Sequence, residues 1–243
     1  MAMRSVRYLV ALLTTLLVSA VSLPAFQFYP MVVVLEPEGP GSRHQFVVEN
    51  STEEILAVEI SITTREIAQD GTEQNRDASR EFSIYPSQIV LRPGQKQFVR
   101  VEYQGDPHLR RERAYRIVAE QLPVNLSGTQ AEGNRIQFAL RYRGALYVAP
   151  PGATPDLQVL GARIDRSGQL ELRVENRGSA HAKIGERRFT IQADNEIPPL
   201  GEEAGASMRE ETILAGQRRR FLLSLQGSVE PQEVRVSLES PEE

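Results

Sequence analysis

The side chains that carry most protein chemistry are sparse in this sequence. It has no cysteine, which removes a disulfide framework, a thiolate zinc site, an iron–sulfur cluster and a cysteine nucleophile together. Its three histidines, His44, His108 and His181, stand far apart and match no metal-ligand spacing such as H-E-x-x-H. Asp106-Pro107-His108 sets one of them in a turn without a paired carboxylate or nucleophile, and Gly178-Ser179-Ala180-His181 lacks the second flanking glycine of a nucleophile elbow. No glycine-rich phosphate cradle follows a strand and opens a helix. Arg218-Arg219-Arg220 is a charge run of the kind that usually stays solvated, and the acidic segment Gly201–Gly205 reads as an exposed loop. Catalysis has no identified carrier, so no cofactor, metal or small-molecule substrate is expected.

What remains is recognition without bond-making. Ile136, Phe138, Leu140 and Tyr142 alternate with Gln137, Ala139, Arg141 and Arg143, so one face of an extended segment carries four large apolar groups. Such a face meets either the chain's own core or the consecutive pockets of a partner that accepts an added strand. Each such side chain gains about 1.5–3 kcal/mol when fully buried, so leaving several in water is costly. A polar loop, residues 125–134, precedes the segment.

The elements around it read as strands almost throughout. In Ile55–Thr63, residues Leu56, Val58, Ile60 and Ile62 fall on one face and Ile55, Ala57, Glu59, Ser61 and Thr63 on the other, the period of a half-buried strand. Phe28–Leu35, Gln45–Val48, Phe82–Tyr85, Ile89–Leu91, Phe98–Tyr103, Ala114–Leu122 and Ile136–Val148 follow the same logic. Asp70-Gly71 and Arg92-Pro93-Gly94-Gln95 supply turns between them. Three prolines and a glycine in Ala149–Pro155 break the pattern and mark a boundary. Beyond it, Leu157–Ile164, Leu170–Val174, Phe189–Gln192, Arg220–Leu225 and Val234–Leu238 alternate again. The reading is all-β, two sandwiches in tandem, residues 26–150 and 151–243, with no helix in the mature chain.

Residues 1–25 read as a secretory signal: Arg4 and Arg7, then an apolar run from Leu9 to Val21 too short to span a membrane comfortably, with cleavage after Ala20 or Ala25. Its removal takes two of the 28 basic residues, leaving 26 against 32 acidic ones, a formal charge of −6. That balance argues against nucleic acid as the main partner. An exported, cysteine-free chain with a core of this size points to a bacterial periplasm. Asn50-Ser51-Thr52 and Asn125-Leu126-Ser127 fit the glycosylation triplet, a pattern that chance supplies readily.

Several ordered segments resemble one family. Tyr85-Pro86-Ser87-Gln88-Ile89-Val90-Leu91-Arg92-Pro93-Gly94 runs on to Val99-Arg100-Val101. Arg111-Glu112 precedes Tyr115–Glu120 and Gln121-Leu122-Pro123. Arg135–Leu140 continues to Leu146-Tyr147-Val148-Ala149-Pro150, and Leu172-Arg173-Val174-Glu175-Asn176 closes a strand in the second half. Together, over most of residues 26–243, they resemble the periplasmic chaperones of chaperone–usher pilus assembly. The resemblance implies two immunoglobulin-like sandwiches with an interdomain cleft, and an edge strand lent to incomplete pilus (fimbrial) subunits that are then handed to an outer-membrane usher. Ile136, Phe138, Leu140 and Tyr142 are the implied donor residues, and an exposed strand edge also invites self-association. The chain departs from the family at its carboxylate anchor. Overlaying the family pattern puts Met31 and Ala145 where many members carry an arginine and a lysine, so Arg116, Arg141 and Arg143 are the substitute candidates for holding a subunit's terminal carboxylate. The alternatives are an exported sandwich that is itself a fibre component, whose polar tail Ser240-Pro241-Glu242-Glu243 supplies no donor strand, and an enzyme on the same scaffold.

Overall fold

The computed structural model describes residues 26–123, 139–192, 199–227 and 229–239. The signal segment 1–25 lies outside them. In chain order the first sandwich comprises β1 (Gln27–Tyr29), β2 (Val32–Leu35), β3 (Arg43–Glu49), β4 (Leu56–Thr64), β5 (Glu66–Ile67), β6 (Glu73–Gln74), β7 (Phe82–Tyr85), β8 (Gln88–Leu91), β9 (Lys96–Tyr103), β10 (Arg113–Gln121) and β11 (Arg141–Val148). One sheet runs β1–β3–β9–β7 and the other β2–β11–β10–β4–β8, while β5 and β6 form a hairpin of their own. The chain therefore changes sheets at Pro30-Met31: β1 pairs antiparallel with β3, and β2 pairs parallel with β11.

Alternation decides which faces meet. Leu56, Val58, Ile60 and Ile62 of β4 are all buried, as their spacing requires, and pack with Phe46, Val48, Val99, Val101, Tyr115, Ile117 and Leu146 between the sheets. The turn after β8 forms as its residues dictate. Gln95 N–H donates to the Arg92 carbonyl (3.0 Å), and Gly94 takes φ +73°, which a side chain would strain. Asn50 is fully buried: its amide donates to the carbonyls of Glu54 (2.8 Å) and Leu91 (3.0 Å), and its carbonyl accepts from Thr52. The first glycosylation-like triplet is thus a turn brace with no free amide.

The second sandwich comprises β12 (Leu157–Ile164), β13 (Gln169–Asn176), β14 (Ala182–Lys183), β15 (Arg188–Gln192), β16 (Thr212–Ile213), β17 (Arg218–Ser224) and β18 (Gln232–Glu239). Its main sheet is β15–β18–β12–β13–β17, and β14 pairs with β16. Leu170, Leu172 and Val174 of β13, Phe221 and Leu223 of β17 and Ile213 form its core. Both parts share one all-β, immunoglobulin-like tandem plan.

Two sequence expectations need correction here. The acidic stretch expected as a loop opens helix α1 (Glu202–Glu210), with Glu202 and Glu203 in the first turn and Arg209 in the last, each complementing the helix dipole. With Met208 as its one buried residue, the helix lacks the broad apolar stripe that would announce it. The triple arginine is not uniformly solvated either. Its middle member follows the strand's alternation inward: Arg219 is only 3% exposed, pairs with Glu211 (2.7 Å), donates to the Thr212 carbonyl (3.1 Å) and lies over the Phe221 ring.

Candidate functional site

The order of strands leaves one edge open. β10 covers β11 along its full length, Arg141–Val148, but β2 reaches only Ala145–Val148 on the other side. Among the described residues, no strand pairs with the outer edge of residues 141–144. The crossing from β1 to β2 passes close by: Ala145 N–H donates to the Met31 carbonyl (2.7 Å), and a side chain at Gly144 would stand 2.9 Å from Ile117 Cγ2 and 3.1 Å from that carbonyl oxygen. A glycine is what admits the crossing.

Of the four expected donor residues, Ile136 and Phe138 lie outside the described residues. Leu140 and Tyr142 are half-buried against the edge of the first core. The Tyr142 ring meets Phe26 edge-on at 4.8 Å, and its hydroxyl donates to the Phe26 carbonyl. Leu140 and Tyr142 therefore continue the core-facing side of β11 outward past the point where its neighbour strand stops.

The opposite face of β11 carries the arginines. Arg116 on β10 sits directly across from Ala145, and Ala145 in turn pairs with Val32, next to Met31. Arg116 thus stands one strand from Ala145 and two from Met31. Arg116 and Arg143 converge on Glu73 of β6, joined by Arg65 at the end of β4. Glu73 Oε1 accepts from Arg116 Nε (3.0 Å), Arg143 Nη2 (2.7 Å) and Asn75 Nδ2 (3.1 Å); its Oε2 accepts from Arg65 Nε (3.0 Å) and Arg116 Nη2 (2.5 Å). Burial opposes ionisation of Glu73, yet the hydrogen bonds from Arg116, Asn75 and Arg65 outweigh it and hold its carboxyl at about 2. Arg141 stays apart and exposed, its Nη2 donating to both carboxylate oxygens of its cross-strand neighbour Glu120 at 2.6 Å. Two of the three anchor candidates are brought together, and Arg65 and Glu73 were not legible as their partners. They belong to other strands, and no local pattern signals a contact made by sheet register and a hairpin.

The same cluster leads to the second sandwich. Arg65 Nη1 donates to the Tyr147 hydroxyl (2.9 Å), and the Tyr147 ring stacks on His181 at 3.8 Å with an interplanar angle of 5°. His181 Nδ1 lies 2.9 Å from both carboxylate oxygens of the almost fully buried Glu112, which also accepts the His181 backbone N–H (3.1 Å), while Glu112 N–H donates to the Ser179 carbonyl (2.8 Å). Ile67, Tyr147 and Leu214 form a small apolar cluster between the two halves, with Ala114 and Ala145 against it. The β5–β6 hairpin is braced from the far side, where Arg220 N–H donates to the Gln69 carbonyl (2.7 Å). The Ser179–His181 stretch therefore latches the sandwiches together. Among the described residues, no group of three or more His, Asp or Glu is arranged to hold a metal ion, and no helix is long and apolar enough to cross a membrane.

No curated protein sequence matches the chain. Among solved structures it is similar to a chain of the CsuC–CsuE chaperone–tip adhesion subunit pre-assembly complex from the archaic chaperone–usher Csu pili of Acinetobacter baumannii, at 17% identity and TM-score 0.58, covering 89% of this chain and 98% of that one. It is also similar to the E. coli chaperone DraB (16% identity, TM-score 0.53, 86% and 95% covered). A third likeness is to a chain of the Salmonella enterica SafA pilin–SafB chaperone complex (13%, 0.55, 88% and 97%). At these identities the likeness is one of fold, across both sandwiches. The sequence itself matches the family described as pili and flagellar-assembly chaperone, PapD N-terminal domain, over residues 30–154, just over half the chain. By that match the chain, with its first strand split between two sheets and its two-sandwich plan, is a member of the pili and flagellar-assembly chaperone family.

Proposed function

We propose that this protein is a periplasmic chaperone that binds pilus subunits by lending them the edge of β11 and passes them to an outer-membrane usher. The observation that carries the reading is the edge of residues 141–144, uncovered among the described residues, beside an arginine cluster in a chain of this family. A subunit lacking one strand exposes an apolar groove and a row of unpaired backbone groups, and an open edge with alternating apolar side chains answers both. Ile136, Phe138 and Leu140 fill successive pockets, and Tyr142, tied to Phe26, marks where the lent segment leaves the chaperone's own core. Arg116 and Arg143 take the terminal carboxylate in place of the absent pair at Met31 and Ala145, and Arg141 has no such part. The work is wholly non-covalent. A subunit that exchanges the lent strand for a better-packed one releases free energy, so nucleotide, metal and catalytic residue are all unnecessary.

Co-purification from the periplasm tests the reading, with this chain expressed beside each pilin-like subunit encoded near it. The expected outcome is a one-to-one complex that protects an otherwise degraded subunit and is lost in Phe138→Asp. Recovery of the chain alone beside every candidate, or equal protection by the variant, overturns it.

A further inference from the structure

Glu73 already occupies the arginine cluster that the proposed chaperone function needs for a chain terminus. Its carboxylate accepts five hydrogen bonds, four of them from the guanidinium groups of Arg65, Arg116 and Arg143 and one from Asn75. That exceeds the roughly four lone-pair sites of a carboxylate, so the acceptor is saturated, and its donors are of the kind that a peptide's α-carboxylate would also require. Three cations surround one anion, so the cluster is stable only while some carboxylate fills it. A second carboxylate entering this seat would compete with Glu73 for Arg116 Nε and Nη2, Arg143 Nη2 and Arg65 Nε, the donors that converge there.

The occupant can be withdrawn, and its seat can be reached from outside. Arg143 is 46% exposed along its side chain, whereas Arg65 is 10% exposed and fixed from behind by the Tyr147 hydroxyl, so the cradle has an open lip and a rigid floor. Glu73 stands on a hairpin whose two strands are two residues each, and whose backbone is braced by the Ala68–Thr72 and Gln69–Arg220 hydrogen bonds. A rotation of the Glu73 side chain can empty the cradle without moving that backbone. The open β11 edge lies alongside, with Arg143 within it.

Resting on the anchor role proposed above, we infer that Glu73 is a resident stand-in for the partner's terminal carboxylate: it fills the Arg65–Arg116–Arg143 cradle in the free protein, and an incoming chain terminus must displace it. Arg65 is then a third anchor residue. The exchange replaces one carboxylate by another with no change in the charge of the cradle. The unoccupied protein thus avoids a bare cluster of three like charges, and a terminus alone, without the groove-filling strand, competes poorly. Selectivity for a whole subunit over any loose acidic chain end follows from that competition.

Acetate is the smallest probe with the chemistry of a chain terminus, and acetamide is its uncharged control. Binding to the full mature chain is read from the Arg Nε resonances in 15N spectra and from the shift in melting temperature. In Glu73→Ala, acetate should bind at least tenfold more tightly than in the wild type and raise the melting temperature, while acetamide does neither. Glu73→Gln, which keeps the side chain's shape, should show the same sign with a smaller change, and serves if the alanine variant folds poorly. Equal acetate binding in wild type and both variants overturns the stand-in role but leaves the cradle a carboxylate site. Absence of acetate binding in folded variants overturns the stand-in and the anchor together.

Discussion

At Glu73 the balance of burial against hydrogen bonding has a measurable pH signature. Its carboxyl titrates at about 2 in the folded chain against an ordinary value of 4.5. A depressed folded-state value contributes stability that is complete above the ordinary carboxylate range and is lost as pH falls from about 5 towards 2. The contribution is roughly 3 kcal/mol at neutral pH. Urea unfolding of wild type and Glu73→Gln should therefore show a gap of that order at pH 7 that closes by pH 2; a gap constant down to pH 3 means the charge of Glu73 is not what stabilises the cluster. Asn176 is the second sandwich's counterpart of Asn50. Fully buried, it donates to the carbonyls of Ala180 (2.8 Å) and Ile213 (3.0 Å) and accepts from the backbone N–H of Asp156 (3.1 Å) and Gly178 (3.0 Å). Asn176→Ala orphans four backbone groups, and a loss of about 2–4 kcal/mol in unfolding free energy is expected. A change under 1 kcal/mol would show that water replaces the amide.

At the scale of elements, β11 serves two sheets' worth of demands. Its inner face completes the first core, its outer face carries Arg143 toward Glu73 and Ala145 toward the cluster between the sandwiches, and β2, which starts at Val32, leaves residues 141–144 of its far edge without a partner strand among the described residues. Gly144 is the pivot. Gly144→Val drives a branched side chain into Ile117 and the Met31 carbonyl, so the β1–β2 crossing must shift. A melting temperature lowered by several degrees and lost subunit capture are expected, and an unchanged melting curve would contradict this account of the crossing. Leu140→Asp and Phe138→Asp should separate in the same assays. Both abolish capture, but Leu140 is half-buried against the core and its replacement also lowers stability, whereas Phe138→Asp leaves the melting point within a degree or two. Unfolding of the free Phe138→Asp protein would assign that side chain to the chaperone's own interior.

The whole molecule depends on how the sandwiches are held. Glu112 receives the His181 ring and backbone while its own N–H is spent on Ser179, and Tyr147 lies flat on His181 with Arg65 at its hydroxyl. One continuous chain of contacts thus runs from the second sandwich into the arginine cradle. Glu112→Ala removes the side-chain contacts of the latch and leaves the backbone bonds to Ser179 and between Gln69 and Arg220, with the small Ile67–Tyr147–Leu214 cluster. Each sandwich should stay folded by circular dichroism, but 15N relaxation should give two tumbling times instead of one, and subunit capture should fall. A single tumbling time in the variant would mean that the apolar cluster and the β5–β6 brace suffice.

Alternation and turn chemistry by themselves determined the fold class. A strand with Leu56, Val58, Ile60 and Ile62 on one face has one way to bury them, and Arg92-Pro93-Gly94-Gln95 one convenient way to reverse the chain. The ordered segments from Tyr85 to Asn176 were enough to suggest the family, and overlaying its pattern on Pro30–Leu35 and Ile136–Pro150 put Met31 and Ala145 at the positions where many members are basic. What Arg116, Arg141 and Arg143 meet was a tertiary decision. Arg141 and Arg143 share a face and differ by two positions; register puts one opposite Glu120 and the other beside Glu73. Arg65, Glu73 and Asn75 come from the end of one strand and a two-residue hairpin, and Tyr147 meets His181 across the interdomain boundary. A contact between residues dozens of positions apart is fixed by which strands pair and how two sandwiches dock. Local period and composition constrain neither, because both depend on side chains meeting only after the chain has folded.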